Sequence, residues 1–322
     1  MPLCLIGSVR AGSHDTLPTL RAGGKAALAA ALARLERDPD ADDVRRLLDA
    51  AYAAPRAHVV GITGPPGVGK STLLSALIQE WRSAGRSVGV IAIDPSSRRT
   101  GGALLGDRAR LVTDPADEGI FVRSMAARDR LGGLAELTLG AMVIMRALYD
   151  LVVIETVGVG QSETDVAGVA DTVLFCVQPG SGDSLQFMKA GIVEIPHIVA
   201  VTKADLGILA ERARADVSGA LSLGESGGDG WAPRVLAVSS QQRAGIVALS
   251  DALAAHAAHL ADADRLARSR HAQAQLWVGE AIRERFGREG LRRAGDLALT
   301  PGSSPFARIS RLAVRLAAHE PT

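Results

Sequence analysis

His58-Val-Val-Gly-Ile-Thr-Gly-Pro-Pro-Gly-Val-Gly-Lys-Ser-Thr72 decides the architecture. Its first six residues form a short β-branched, apolar run that reads as a buried strand. Residues 64–71 match G-x-x-x-x-G-K-[ST] in full, and the residues from about Lys70 to Ala84 read as a helix. Strand, Gly-rich turn and helix in that order specify a loop that wraps a phosphate chain. Gly64, Gly67 and Gly69 let backbone N–H groups approach the β-phosphate, and the helix N-terminus adds its positive end. Lys70 would reach the β- and γ-phosphates, and the Ser71 hydroxyl would ligate Mg²⁺.

Outward from this loop, apolar runs alternate with helical stretches. Further strands are expected at 87–93, 120–123, 151–155, 172–177, 198–202 and 235–238, with a helix over 134–149. Strands separated by helices imply an α/β fold of the P-loop NTPase kind, a mostly parallel sheet covered by helices on both faces. Residues 24–55 read as an N-terminal helical hairpin, with Pro39 starting its second helix. From Ala244 to Phe286 helical spacing returns as a C-terminal helical extension, and the last thirty or so residues show no clear pattern. The organisation expected is an irregular tail over 1–23, helices over 24–55, a nucleotide-hydrolysing unit over 56–243 and an extension over 244–322. Gly224–Gly230 reads as a flexible loop.

Three acids stand near the carboxyl ends of expected strands, where open α/β sheets bind ligands: Asp94, Asp107 and Glu155. With Ser71 they are the candidate Mg²⁺ ligands, since Mg²⁺ needs only a few protein oxygens beside water. Glu155-Thr-Val-Gly158 has the layout of a γ-phosphate sensor, with the Gly158 N–H facing the terminal phosphate. Lys70, Asp94, Glu155 and Gly158 are therefore the candidate catalytic set. Val159 stands where many GTPases carry a water-orienting Gln, which implies slow hydrolysis without a partner. Thr202-Lys203-Ala204-Asp205 approximates the N/T-K-x-D guanine signature. The Asp205 carboxylate can accept from guanine N1–H and its exocyclic amine, and the Lys203 stem can cover the base. Ser239, Ser240 and Gln241 would line the base edge. These segments favour GTP and GDP over adenine nucleotides.

Composition removes other classes. The 322 residues carry 36 Lys+Arg and 35 Asp+Glu, a net charge of +1, which gives no general reason to bind nucleic acid or an anionic membrane. Aromatics at 3% are too few for base-stacking platforms. No apolar run reaches the ~20 residues of a membrane helix. Cys4 and Cys176 form neither a metal-spaced pair nor a disulfide framework, so a reduced cytoplasmic setting is expected. His256 and His259, three apart, read as a helix surface or an inter-subunit face, and Trp277 as packing or a dimer contact.

Asp94-Pro-Ser-Ser-Arg-Arg-Thr-Gly-Gly102, Leu-Leu-Gly-Asp107, Phe121-Val-Arg-Ser-Met-Ala126, Glu155-Thr-Val-Gly-Val-Gly-Gln-Ser-Glu163 and Pro179-Gly-Ser-Gly-Asp-Ser-Leu-Gln186 together resemble the MeaB/ArgK GTPases. The resemblance runs from about residue 24 to 286. Asp129 departs from it, standing where the family's S-M-A-x-R-G stretch has Gly. The resemblance implies a SIMIBI-class GTPase, usually a homodimer, that serves an adenosylcobalamin-dependent acyl-CoA mutase by gating cofactor loading and protecting the enzyme. It implies that Gly64, Pro65, Pro66, Gly67, Val68, Gly69, Lys70, Ser71 and Thr72 hold the phosphates, and that Asp205 with Ser239–Gln241 holds the base. It also implies that segments 95–107 and 156–163 are nucleotide switches, and that 179–189 addresses the mutase. A metal-insertion GTPase of another client, a small-molecule kinase and a non-hydrolysing GTP-binding module are the alternatives.

Overall fold

In a computed structural model the described residues are 16–94, 111, 113–126, 136–156, 165–180, 195–222 and 230–318. Seven strands form one all-parallel sheet: β1 (His58–Thr63), β2 (Val88–Asp94), β3 (Ile120–Ala126), β4 (Leu151–Glu155), β5 (Thr172–Val177), β6 (Ile198–Val201) and β7 (Arg234–Ala237). Their spatial order is β3-β2-β4-β1-β5-β6-β7. The helices among the described residues are α1 (Leu17–Arg37), α2 (Asp42–Ala53), α3 (Lys70–Ser83) and α4 (Glu136–Arg146). They continue with α5 (Ile208–Ser222), α6 (Ile246–Ala261), α7 (Arg265–Ala294) and α8 (Pro305–Ala317). None is long and apolar enough to cross a membrane.

The strands are apolar throughout because both faces are covered. Val60, Ile62, Val90, Val153 and Leu174 face α3 and α6, while Val59, Ile91, Val152, Ile154 and Val173 face α1, α2, α4 and α7. α5 closes the second face over Phe175, Val177, Val199 and Val201. The chain leaves β1 toward β2 on one side and later enters β5 on the other. The crevice at the carboxyl end of β1 is therefore the switch point of the sheet, the usual ligand position in open α/β folds.

At the opposite, amino edge, Asp171 is 1% exposed and fastens three elements. It accepts from Val59 N at 2.7 Å and from Arg270 Nε and Nη2 at 2.8 and 2.6 Å, while Arg270 also donates to Ala57 O at 2.8 Å. Burial alone would raise the Asp171 pKa. The Arg270 hydrogen bonds and charge, helped by His58 and the Val59 N–H, hold it below the usual carboxylate range.

Several expectations are corrected. Residues 17–23 are not an irregular tail but the start of α1, capped by Thr16, with Pro18 in the first turn and Leu17 and Leu20 buried. Gly24, at φ 58°, breaks the direction of α1 there. Pro39 lies in the turn, and α2 starts at Asp42, where Asp42 and Asp43 suit the positive helix end. β3 runs three residues further than expected, and the C-terminal stretch contains a capped amphipathic helix, α8, whose Phe306, Ile309, Leu312 and Leu316 are buried. His256 is wholly buried rather than on a surface. Trp277 is packing: it is 3% exposed and donates to Gly168 O at 2.8 Å. Residues 1–15 and the 223–229 part of the expected loop lie outside the described residues.

Replacing Arg270 by Met leaves a buried carboxylate without its partner. Arg270→Met is expected to cost about 3–5 kcal/mol, read as a lower urea midpoint; an unchanged midpoint would mean that α7 docks without the pair.

Candidate functional site

The loop after β1 takes its shape from its glycines. Gly64, Gly67 and Gly69 have φ of 136°, 77° and 97°, values that side chains with a Cβ rarely adopt. A Cβ on Gly64 would lie 2.3 Å from Cys176 O, so β5 forces glycine there. A Cβ on Gly67 or Gly69 would meet nothing within 4 Å, because both face open space at the sheet edge. That open space adjoins the first turn of α3, whose free N–H groups and positive end suit a phosphate. Pro65, Pro66 and Val68 form the turn itself, with Val68 N donating to Pro65 O at 3.4 Å. Lys70 is 7% exposed and donates to Gly64 O at 2.7 Å and Pro65 O at 3.1 Å, so its ammonium sits inside the loop's curl. Thr72 is exposed on the first turn of α3.

β4 delivers Glu155 beside this loop. Ser71 Oγ donates to Glu155 Oε1 at 2.7 Å, and Glu155 is 4% exposed. A hydroxyl and a carboxylate touching at the mouth of a phosphate cradle are hard oxygen donors of the kind Mg²⁺ takes together with waters, so the residues present fit that ion. Thr156 braces this corner: its N donates to Ile62 O at 3.0 Å and its Oγ1 to Thr63 Oγ1 at 2.8 Å. Asp94 ends β2, the strand beyond β4, and its side chain lies outside the described residues, as do Asp107 and Gly158. The segments 95–107, 157–163 and 181–189 lie outside them too, and with them Asp129.

On the other side of β1 the Thr202–Asp205 segment leaves β6. Thr202 Oγ1 lies 2.7 Å from Val68 O and 3.0 Å from Val177 O, tying this segment to the phosphate loop and to β5. Lys203, at φ 55°, reaches back to Gly67 O at 3.5 Å and to Gln178 Oε1. Asp205 Oδ1 accepts from Ser239 Oγ at 2.6 Å. That hydrogen bond, then the residue's own backbone N–H and the Lys203 charge, hold the Asp205 carboxyl below the usual range, so it is an acceptor at neutral pH. Ser239 is 1% exposed and pairs with Ala244 across a tight turn, which places Ser240 and Gln241 at its tip.

One carboxyl edge thus brings together Gly64–Thr72, Glu155, Lys203, Asp205 and Ser239–Gln241. Sequence reasoning overlooked Thr202, Gln178 and Thr156 as braces. The Thr in place of Asn before Lys203 was the available signal for the first. A cavity of about 180 Å³ lined by apolar Leu35, Leu48 and Phe306 and by charged Glu36, Glu136 and Arg285 belongs to the helix junction of α1, α2, α4, α7 and α8, away from this edge. Among the described residues no group of three or more His, Cys, Asp or Glu is placed to hold a metal ion by itself.

The profile of the family described as "Methylmalonyl Co-A mutase-associated GTPase MeaB" matches residues 28–292. "Putative GTPase PH0274" of Pyrococcus horikoshii is 40% identical over 277 residues, covering 83% of this chain and 85% of its own. The mouse protein "Methylmalonic aciduria type A homolog, mitochondrial" is 35% identical over 233 residues, 71% of this chain and 56% of its own. The crystal structure of an LAO/AO transport system kinase superposes with a TM-score of 0.65 at 26% identity, covering 94% of this chain and 96% of that one.

Asp205→Asn replaces an acceptor pair by an amide that cannot accept from both guanine donors. GDP affinity is expected to fall about 10- to 100-fold, the worth of a charged hydrogen bond, and xanthosine diphosphate to bind better than GDP. Unchanged GDP affinity in a nucleotide titration would remove Asp205 from the base site.

Proposed function

The chain belongs to the family of methylmalonyl-CoA mutase-associated GTPases, and on that premise we propose that its GTP hydrolysis serves as a conformational switch on an adenosylcobalamin-dependent acyl-CoA mutase. It binds guanine nucleotide and is a GTPase, as its relatives are. The observation that carries the mechanism is the bracing of the base-reading segment to the phosphate loop at Gly67 O and Val68 O. That bracing sets base and phosphates in one frame.

In this reading Gly64–Thr72 hold the phosphates, Asp205 and Ser239–Gln241 hold guanine, and Lys203 covers the base. Ser71 and Glu155 would hold Mg²⁺, with Asp94 and Asp107 near it. Bound there, Mg²⁺ neutralises charge on the phosphate oxygens. Lys70 and the loop N–H groups stabilise charge that grows as water attacks the γ-phosphate in line. Gly158 senses that phosphate through its N–H. The hydrolytic unit is residues 56–243, the extension over 244–322 forms the surface toward a second copy of the chain, and segment 179–189 addresses the client. The mutase as client is supported by the family's description and by the name of the mouse relative.

Two measurements test this. Lys70→Ala is expected to lower GTP turnover at least about 100-fold, with the circular dichroism spectrum unchanged. Mixed with a cobalamin-dependent acyl-CoA mutase, the unaltered protein is expected to co-elute on size exclusion and to hydrolyse GTP faster. Neither association nor acceleration with methylmalonyl-, ethylmalonyl- and isobutyryl-CoA mutases would remove the client assignment. Transfer of the γ-phosphate to a basic amino acid would favour the kinase reading that the solved relative's name suggests.

A further inference from the structure

At the amino edge of the sheet, opposite the nucleotide crevice, four histidines from three segments converge. His58 opens β1, His197 precedes β6, and His256 and His259 lie in the second half of α6. The His197 and His256 rings stand 4.2 Å apart, centroid to centroid, and Trp231, ahead of β7, meets His256 edge-on at 4.7 Å. Thr172 Oγ1, wholly buried, lies 2.6 Å from His58 Nε2 and 2.7 Å from His256 Nδ1. His58 Nδ1 faces Asp171 Oδ2 at 3.7 Å.

Donors and acceptors fit in one direction only. Thr172 has a single hydroxyl proton, so one imidazole donates to it and the other accepts from it. His256 Nε2 is buried without a hydrogen-bond partner, and a bare lone pair there costs less than an orphaned N–H. His256 therefore carries its proton on Nδ1 and donates to Thr172, which donates to His58 Nε2. His58 then presents Nδ1–H to the carboxylate that Arg270 holds. The reverse order would leave an orphaned N–H on His256 and a lone pair on His58 facing Asp171.

We propose that the His256–Thr172–His58–Asp171 chain is an acid-released clasp that fastens the second half of α6, and with it the start of α7, to the amino edge of the sheet. The charged and titratable groups around His256 are His58 of β1, Asp171 before β5, His197 before β6, Arg234 of β7 stacked on Trp231, His259 of α6 and Arg270 of α7. A second proton on His256 would occupy Nε2, where nothing accepts it. Burial first, then His197, His58 and His259, push the closed His256 down to about 3, with Asp171 opposing. Burial and Arg270 likewise lower His58 against the pull of Asp171. An opened imidazole protonates near 6.5. The clasp's stability is thus complete above that value and is lost as pH falls from there toward about 3.

The test is backbone amide exchange of the full protein, corrected for the chemical rate. For one histidine that protonates only when open, amides in the second half of α6 and the first turns of α7 should open about ten-fold more often at about pH 5.5 than at about pH 7.5. Strands β1 and β4 should not change. His256→Asn keeps a donor toward Thr172 but does not titrate, and should reduce the dependence to what His58 alone supplies. An equal dependence in that variant, or none in the unaltered protein, overturns the clasp. Nitrogen-15 shifts of the unaltered protein give an independent reading: His256 is expected neutral, protonated on Nδ1, down to about pH 5. A proton on Nε2, or titration near 6.5, overturns it as well.

Discussion

Everything at the nucleotide edge depends on β1 being held between β4 and β5. Ile62 pairs in register with Glu155 on one side, and Thr63 with Phe175 on the other. Those two pairings fix where the chain turns into the phosphate loop, and they carry Glu155 and Gln178 to its flanks. Gly64 is the tightest point: β5 passes so close that any side chain would strike Cys176 O. The loop is therefore shaped as much by the neighbouring strand as by its own glycines. Cys176 itself is packing, its buried thiol pushed up to about 12 by desolvation.

The fold was largely legible because parallel strands buried on both faces are apolar from end to end, and such runs stand out from 3.6-residue spacing. Strand positions came within a few residues for that reason. α8 escaped because its buried Phe306, Ile309, Leu312 and Leu316 are interleaved with three arginines and follow a Pro/Gly turn. The first turns of α1 escaped because they are short and are set off from the rest of the helix by the non-helical Gly24. At the crevice, Lys70, Ser71, Lys203 and Asp205 could be grouped from sequence because the two motifs that contain them have fixed spacing. Thr202 and Thr156 were not, since a buried hydroxyl that braces a backbone carbonyl carries no spacing rule. His256 was misplaced because pattern alone cannot separate a buried polar cluster from a solvated face. Only the convergence of four elements far apart in sequence distinguishes them.

The cations divide by geometry. Only four of the 36 basic residues are lysine. Lys70 curls inside the phosphate loop and Lys203 reaches back to it, both as compact ammonium groups on flexible stems. Lys25 joins α1 to the turn before β3 through Pro115 O at 2.9 Å, and Lys189 lies outside the described residues. Arginine does the long-range fastening, where a planar fork grips a carboxylate with two bonds: Arg82 on Asp117, Arg123 on Glu36, Arg270 on Asp171 and Arg285 on Glu136. Each of these pairs joins segments that are distant in the chain. The Arg excess thus has a structural use beyond the nucleotide edge.

The order of strands also sets an order in time. A ribosome that has delivered residues 58–83 has made the whole phosphate motif and its helix. The strands that wall it, β4 and β5, begin at 151 and 172, and the base-reading turn ends only at 244. For most of synthesis the nascent chain carries the motif's residues without the pocket, because a parallel sheet cannot insert its central strand until both neighbours exist. Nucleotide binding and completion of the sheet thus fall together. A nucleotide that needs the finished crevice can bind only late, and would favour by mass action the last pairings the sheet has to make.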